Sequence, residues 1–280
     1  MKANDSVRQS TRLAQARWLW LGTVLMLLTL AGCASGPHAN PNDPFEPMNR
    51  RVYQFNDAID SVVFRPVAGA YRDIAPMRVR QGVGNFFGNL EDVWSFVNNA
   101  LQLKGQGAMD SLRRVGVNTF LGWGGIFDVA TEMDIEKHTK DFGHTLGYWG
   151  VGAGPYLVLP LLGPSTLRDA VALPVDWQGD LVTNVPHVPT RNTATVLRLV
   201  DTRATLLKAS SMLEEASLDV YTFTRDAFLQ RRRSVIYDGN PPEEDLEDLS
   251  ALPPDQPASP TDALSNTSHA GTSGEEKAKP

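Results

Sequence analysis

The single cysteine of the chain, Cys33, lies in a sequence context that suits covalent lipid attachment. The apolar run 18–30 ends in Leu30-Ala31-Gly32, directly before this cysteine. Small residues at 31 and 32 allow the backbone to enter a peptidase site, and the thiol can then take a diacylglyceryl group through a thioether bond. The alternative, a buried structural cysteine beside an ordinary N-terminal helix, does not explain this position. We therefore predict that Cys33 is the lipid-attachment residue.

The residues before Cys33 have the pattern of a signal peptide, which we assign to residues 1–32. Four basic residues precede the apolar run, and its 13 residues fall short of the roughly 20 that a membrane-spanning helix needs. The segment resembles the lipobox signal of bacterial lipoproteins. Ala34 stands where lipoproteins retained at the inner membrane usually carry Asp, so this resemblance implies an outer-membrane destination.

Composition divides the rest of the chain into three parts. Residues 33–42 form a short tether, residues 43–240 form a helical domain, and residues 241–280 form an acidic, proline-rich tail that we predict to be disordered. The formal net charge of the chain is −6, and most of the acidity lies in the tail. The body is nearly neutral, which argues against nucleic-acid binding because that would need clustered Lys and Arg.

Other side chains that could carry chemistry fit their reactions poorly. The glycine-rich segment 147–156 lacks the lysine and the helix N-terminus of a phosphate-binding loop, so we exclude nucleotide binding. Ser165 with His144 and Asp141 offers a nucleophile, a base and an orienting carboxylate for a lipid hydrolase. We favour a structural interpretation in which Ser165 caps a helix that begins near Thr166. The histidines lack metal-ligand spacing, and we predict no enzyme activity, metal or cofactor.

Hydrophobic periodicity predicts an all-helical body. The first helix is expected to take Asp43 as its N-cap and to end before Pro66. Further helical stripes run through 79–101, 108–115 and 196–207. A capping box of Ser211 and Glu214 is expected to begin the last helix, which ends near Tyr237.

Glycine and aromatic residues accumulate between these helices. The segments 122–127 and 147–156 interrupt the helical periodicity, and the apolar run 157–164 is too short and too rich in proline to span a bilayer. We interpret that run as a buried turn or as a segment that dips into one leaflet. Because Trp and Tyr favour membrane interfaces, we predict a membrane-embedded body in preference to an ordinary soluble core.

A series of motifs runs in order through residues 43–238. It comprises Asp43-Pro44-Phe45-Glu46, Asn49-Arg50, Tyr53-Gln54-Phe55-Asn56, Asp60, Arg65-Pro66-Val67-Ala68, Asn85-Phe86-Phe87-Gly88-Asn89-Leu90, Asn118-Thr119-Phe120-Leu121-Gly122, Gly124-Gly125-Ile126-Phe127-Asp128-Val129-Ala130, Phe142-Gly143-His144-Thr145-Leu146-Gly147, Gly154-Pro155-Tyr156 and Ser165-Thr166-Leu167-Arg168-Asp169. Arg203, Tyr221 and Arg225 extend it weakly. Together these motifs resemble those of the MlaA (VacJ) family of outer-membrane lipoproteins, and the resemblance stops before the tail.

The resemblance implies an all-α ring of amphipathic helices in the inner leaflet of the outer membrane, around a central amphipathic channel. Members of such a family remove misplaced phospholipid from the outer leaflet and pass it to a periplasmic lipid carrier, and they sit beside a trimeric porin. A structural lipoprotein that bridges the porin to periplasmic factors without moving lipid is the alternative.

Seven residues are predicted to line or gate the channel. They are Tyr53, Phe55 and Asn56 on the first helix, and Gly122, Gly124, Gly125 and Phe127 in the stretch 118–130. We expect that stretch to form a helix–turn–helix hairpin whose glycines set the motion of the channel.

Overall fold

Helices make up most of the chain that the computed structural model describes, which is residue 40 and residues 43–242. The predictions for Cys33, the signal peptide and the acidic tail lie outside the described residues. In chain order the elements are α1 (Glu46–Ile59), a π-helical turn (Asp60–Phe64), α2 (Arg65–Ile74), α3 (Met77–Leu101), α4 (Gly105–Phe120), α5 (Val129–Glu132), α6 (Phe142–Tyr148), β1 (Tyr156–Leu159), β2 (Gly163–Thr166), α7 (Leu167–Gly179), α8 (Val188–Ala216) and α9 (Val220–Ile236). The predicted all-α class is confirmed, with one small sheet added.

The first helix begins at Glu46, and the prediction that Asp43 caps it is wrong. The Asp43 carboxylate instead accepts hydrogen bonds from Asn49 Nδ2 (2.8 Å) and from the Tyr221 hydroxyl, and it lies 3.4 Å from Arg225 Nη1. Its exposure is 1%, and a carboxylate removed from water needs such partners. Tertiary contacts therefore decide its position.

The prediction that the first helix ends before Pro66 is also wrong, because right-handed helical backbone continues through the π-helical turn into α2. Proline lacks an N–H, and its ring clashes with the carbonyl four residues earlier in an α-helix. A wider π turn directly before Pro66 relieves both problems. Asp60 holds this turn against α8, since it accepts hydrogen bonds from Arg203 (2.6 and 2.7 Å) and from Arg65 (3.0 Å).

Helices α3 and α4 pack against each other through polar faces. Their buried residues include Asp92, Ser95, Asn98 and Asn99 from α3, and Ser111, Arg114 and Asn118 from α4. The apolar stripe of α3, which correctly predicts the helix, faces outward at Val79 (54% exposed) and Leu101 (47% exposed). The amphipathic pair is therefore turned with its polar side inward.

The same pattern, with polar side chains buried and apolar side chains exposed, extends over the described part of the chain. Among those residues, 21 polar or charged side chains are buried, but only 11 hydrophobic ones are. Another 38 large hydrophobic residues are exposed. Exposed apolar area on this scale is rare on water-soluble monomers and marks surfaces that contact a membrane or a partner.

The apolar run 157–164 forms a β-hairpin. Strands β1 and β2 pair antiparallel, with Tyr156 opposite Thr166. Leu161 and Leu162 lie at the hairpin tip and are exposed. Tyr156 is fully buried and packs edge-on against Tyr221 and Phe228, with ring centroids 6.3 and 6.2 Å apart. This aromatic cluster joins the hairpin to α9.

The predicted capping box of Ser211 and Glu214 is wrong. Ser211 lies inside α8, where its hydroxyl donates to the Lys208 carbonyl (3.0 Å). The last helix, α9, is capped by Asp219, whose carboxylate accepts from the backbone N–H groups of Tyr221 (3.0 Å) and Thr222 (3.2 Å). Helix α9 ends at Ile236, with Tyr237 as its C-cap, as the sequence predicts.

Candidate functional site

An open cavity of about 1030 Å³ lies between α3, the turn after α4, and the start of α8. We call it the apolar groove. It is lined by Arg78, Val79, Gly82, Val83, Phe86, Phe87, Ile126, Phe127, Pro189, Thr190, Thr193, Ala194 and Leu197. Arg78 is the one charged residue of this lining. The groove therefore offers hydrocarbon chains an apolar wall with a single cation.

A second cavity, of about 450 Å³, lies further along the same two helices. We call it the polar cavity. It is lined by Gly84, Phe87, Gly88, Leu90, Glu91, Trp94, Lys137, Asp176, Trp177, Asp180, Arg198, Asp201 and Thr202. Phe87, which is 8% exposed, lines both cavities. The pair of cavities has the amphipathic division of a phospholipid, with an apolar part and a charged part that share one wall.

Ion pairs and hydrogen bonds order the polar cavity. Arg198 donates to both oxygens of Asp180, at 3.0 and 2.6 Å. The indole N–H of Trp94 donates to Asp176 Oδ1 (2.8 Å), and the Tyr71 hydroxyl donates to Asp201 Oδ1 (2.9 Å). Burial raises the pKa of both Asp176 and Asp201. These two carboxylates are therefore partly removed from water.

Residues 121–127, which we call the docked turn, connect α4 to α5 and rest on α3. The Asn85 amide donates to the Ile126 carbonyl (3.0 Å). Gly125 has a φ of +92°, and a Cβ on it would lie 2.7 Å from Cβ of Asn89. A Cβ on Gly122 would lie 2.1 Å from the Phe127 carbonyl oxygen. The turn thus needs glycine at these two positions for close packing.

A buried arginine fixes the end of the docked turn that leads into α5. The Arg114 side chain is 3% exposed. It donates to Asp92 (3.1 Å), to both oxygens of Asp128 (2.9 Å each), to Thr131 (3.1 Å) and to the Ile135 carbonyl (2.7 Å). The Asn118 amide donates to Asp128 (3.0 Å) and accepts from the Ala130 N–H (2.9 Å). We call Arg114, Asn118, Asp92 and Asp128 the Arg114 clamp.

Electrostatics within the Arg114 clamp act in opposite directions on its two carboxylates. Burial acts to raise the pKa of Asp128, but hydrogen bonds from Thr131, Asn118 and Arg114 outweigh it, so the pKa is lowered. Burial raises the pKa of Asp92. The sequence analysis missed this clamp, although polar residues at helical spacing in α4 (Ser111, Arg114 and Asn118) were a signal of a buried polar face.

Comparison with known proteins identifies the protein family. The family model described as MlaA lipoprotein matches residues 41–235. The chain belongs to the MlaA lipoprotein family. The matched span includes both cavities, the docked turn and the Arg114 clamp, and it confirms the resemblance found in the sequence.

Named relatives agree with the family match. The chain is 37% identical over 233 residues to the intermembrane phospholipid transport system lipoprotein MlaA of Escherichia coli strain K12, covering 79% of this chain and 88% of that one. It is 29% identical over 252 residues to the Haemophilus influenzae protein of the same name, covering 84% and 95%. A solved structure described as the structural basis for maintenance of bacterial outer membrane lipid asymmetry matches with a TM-score of 0.62 at 36% identity, covering 69% of this chain and 98% of that chain.

The predicted gate residues of this MlaA-family chain fall into two groups. Residues 118–130 form a helix–turn–helix as expected, although the second helix, α5, has only four residues. Gly122, Gly124, Gly125 and Phe127 lie in the docked turn, and Phe127 lines the apolar groove. No hydrogen bond or ring contact of the described residues joins this group to Tyr53, Phe55 or Asn56.

The first-helix group contacts the β-hairpin and α9. Asn56 donates to the Leu159 carbonyl (2.9 Å) and accepts from the Leu161 N–H (2.8 Å). Tyr53 packs edge-on against Tyr221, with ring centroids 5.6 Å apart. Phe55 is 50% exposed. Asn56 and Tyr53 thus have structural contacts, whereas Phe55 is free to meet a membrane or a ligand.

The hydrolase alternative gains no support from the geometry. His144 and Asp141 form the capping box of α6, in which His144 Nδ1 accepts from the Asp141 N–H (3.1 Å). Burial lowers the pKa of His144. The Ser165 hydroxyl donates to the Thr166 carbonyl (3.2 Å), and it is Thr166 that caps α7, by accepting from the Asp169 N–H. His144 and Asp141 therefore serve the start of α6, and the prediction that Ser165 caps the next helix is wrong, because Thr166 takes that role.

Two properties of the described residues concern membrane crossing and metal binding. None of the helices between residues 43 and 242 is long and apolar enough to cross a bilayer. In the same part of the chain, no cluster of three or more His, Cys, Asp or Glu side chains is arranged to hold a metal ion.

Proposed function

We propose that this protein is a passive phospholipid-translocation component that removes misplaced phospholipid from the outer leaflet of the outer membrane. In this proposal the lipid passes through an amphipathic channel in a ring of helices and is handed to a periplasmic lipid carrier. No bond is made or broken, so no catalytic residues are required. The names of the relatives, which describe intermembrane phospholipid transport, support this assignment.

The observation that carries the proposal is the pair of cavities that share Phe87. A phospholipid that changes leaflets must bring a charged headgroup past hydrocarbon, and burying an unpaired polar group costs several kcal/mol (about 2–7). A charged compartment directly beside an apolar one lowers that cost, because headgroup and chains each meet a matching surface.

The burial of polar side chains and the exposure of apolar ones support a position within one leaflet. Exposed apolar side chains on amphipathic helices suit contact with hydrocarbon, while the helices bury their polar faces against one another. Acylation of Cys33 would add an anchor, since each buried CH₂ of an acyl chain contributes roughly 0.8 kcal/mol. We place the protein at the periplasmic side of the outer membrane, beside a trimeric porin.

The docked turn is the part of the channel that we propose as its gate. It borders the apolar groove through Ile126 and Phe127 and rests on α3 through Asn85 and Gly125. Gly124→Pro and Gly125→Pro should alter lipid asymmetry and detergent sensitivity. Unchanged asymmetry and sensitivity in both variants would contradict the gate.

The proposal is tested by the phospholipid content of the outer leaflet in a strain that lacks this protein. Outer-leaflet phospholipid should rise and should return to normal with the wild-type gene, but not with Cys33→Ala. A deletion strain with normal asymmetry, in which the wild-type protein still crosslinks to porin, would instead support the bridging alternative. Release of fatty acid by the purified protein, abolished in Ser165→Ala, would support the hydrolase.

A further inference from the structure

The polar cavity contains an unequal balance of charges. Its lining holds four carboxylates (Glu91, Asp176, Asp180 and Asp201) and two cations (Lys137 and Arg198). Arg198 is neutralised by its bidentate pair with Asp180. Lys137 lies 3.5 Å from Glu91 and 3.7 Å from Asp92, which are longer contacts.

Asp176 and Asp201 have hydrogen-bond donors but no cationic partner. Within residues 43–242, no Lys, Arg or His nitrogen lies within ion-pair distance (4.0 Å) of either carboxylate. Asp176 Oδ1 accepts from Trp94 and from the Phe142 N–H, at 2.8 Å each. Asp201 Oδ2 faces Gly84, where an added Cβ would lie 3.4 Å away.

Their surroundings make these charges costly. Burial raises the pKa of both groups, and their hydrogen bonds offset this only in part, with smaller contributions from the more distant Arg80 and Arg232. A cation that enters the cavity would supply the missing counter-charge. Partly buried charges are screened less by salt than exposed ones.

From this charge balance we infer that the polar cavity prefers phospholipid headgroups that carry an ammonium group, such as phosphoethanolamine, over headgroups that are only anionic. The ammonium group pairs with Asp176 and Asp201, and the phosphate lies toward Lys137. The acyl chains occupy the apolar groove on the other side of Phe87. The inference rests on the proposed function and specifies its substrate class.

The two cavities have suitable sizes for this arrangement. Their volumes of about 450 and 1030 Å³ fall within or close to the 300–1,000 Å³ typical of ligand pockets. A lipid bound in this way would place opposite charges within one compartment, which favours a zwitterionic headgroup. A purely anionic headgroup would meet two uncompensated carboxylates.

The test measures which lipid the purified, acylated full-length protein retains from mixed micelles of dioleoyl phosphatidylethanolamine and dioleoyl phosphatidylglycerol at equal concentration. We expect the wild type to retain more of the ethanolamine lipid. Asp176→Asn and Asp201→Asn each keep the hydrogen-bond acceptor and remove the charge. Each should reduce the preference about fivefold, which corresponds to about 1 kcal/mol at 1.36 kcal/mol per factor of ten.

Asp73→Asn is the matched control, because Asp73 is an exposed carboxylate outside both cavities. It should leave the preference unchanged. Two results would overturn the headgroup inference and leave the proposed function standing. One is that the wild type and the variants all retain both lipids in equal amounts, and the other is that Asp73→Asn loses as much preference as Asp176→Asn and Asp201→Asn. Retention of neither lipid would count against the proposed function itself.

Discussion

Replacement of Arg114 by methionine tests whether the Arg114 clamp stabilises the fold. Methionine keeps much of the length of the side chain and removes its charge and all five hydrogen bonds. Asp92, which is 1% exposed, would be left buried with Lys137 at 3.7 Å as its nearest cation. Removal of one partner of a buried ion pair typically costs 3–5 kcal/mol, so we expect a loss of about 3–5 kcal/mol in the free energy of unfolding.

The adjacent arginine provides the control for this experiment. Arg113 is 61% exposed and pairs with Asp110 at 3.2 Å. Exposed ion pairs contribute about 0–1 kcal/mol, so Arg113→Met should unfold close to the wild type. Both variants would be compared by equilibrium urea unfolding in detergent micelles. If Arg114→Met lost less than about 1 kcal/mol, or no more than Arg113→Met, the reasoning from burial would be refuted.

Three further predictions address the docked turn, the first helix and acid stability. Gly125→Ala should destabilise the fold by about 1–3 kcal/mol through its positive φ and the close Asn89 contact. Gly124 also has a positive φ (+70°) but leaves open space for a Cβ, so thermal unfolding should show Gly124→Ala as the more stable of the two variants. Asn56→Ala should cost about 1–3 kcal/mol, because it removes two hydrogen bonds to the β-hairpin that contribute about 0.5–1.5 kcal/mol each, and increased hydrogen exchange at Leu161 would reveal it. The pKa of Asp128 is lower in the folded protein than its ordinary value of 3.8, so the ionised carboxylate stabilises the folded state at pH values above 3.8. This contribution should disappear as pH falls below about 4, and Asp128→Asn should flatten that part of the stability–pH curve.

The sequence predicts which segments are helical better than it predicts where they end. The stripe of α3 and the end of α9 are correct, because periodicity depends on local spacing. The predicted N-cap at Asp43 fails because that carboxylate binds Tyr221 and Arg225, which are far away in the sequence. The capping box at Ser211 fails because nothing local stops α8 there.

The family motifs turn out to mark contacts between distant elements. Asn49 links α1 to β1 through the Tyr156 carbonyl (3.0 Å), and Asp60 links the π-helical turn to Arg203. Asn118 and Asp128 close the ends of the docked turn. A linear sequence shows such residues as isolated polar positions, and their pairing appears only when the chain is folded.

The orientation of the amphipathic helices is the feature that periodicity leaves undetermined. A period of 3.6 residues shows that α3 has an apolar face and a polar face, but it does not say which face meets the other helices. In water the apolar face would turn inward, yet here Asn98 and Asn99 are buried and Val79 is exposed. Buried amide N–H groups need hydrogen-bond acceptors, and Asn99 Nδ2 has them in the carbonyls of Ser95 (2.9 Å) and His138 (3.1 Å). Hydrogen bonds between the polar faces thus stabilise the inward orientation, and the position in one leaflet that we propose would place the apolar stripe of α3 against hydrocarbon.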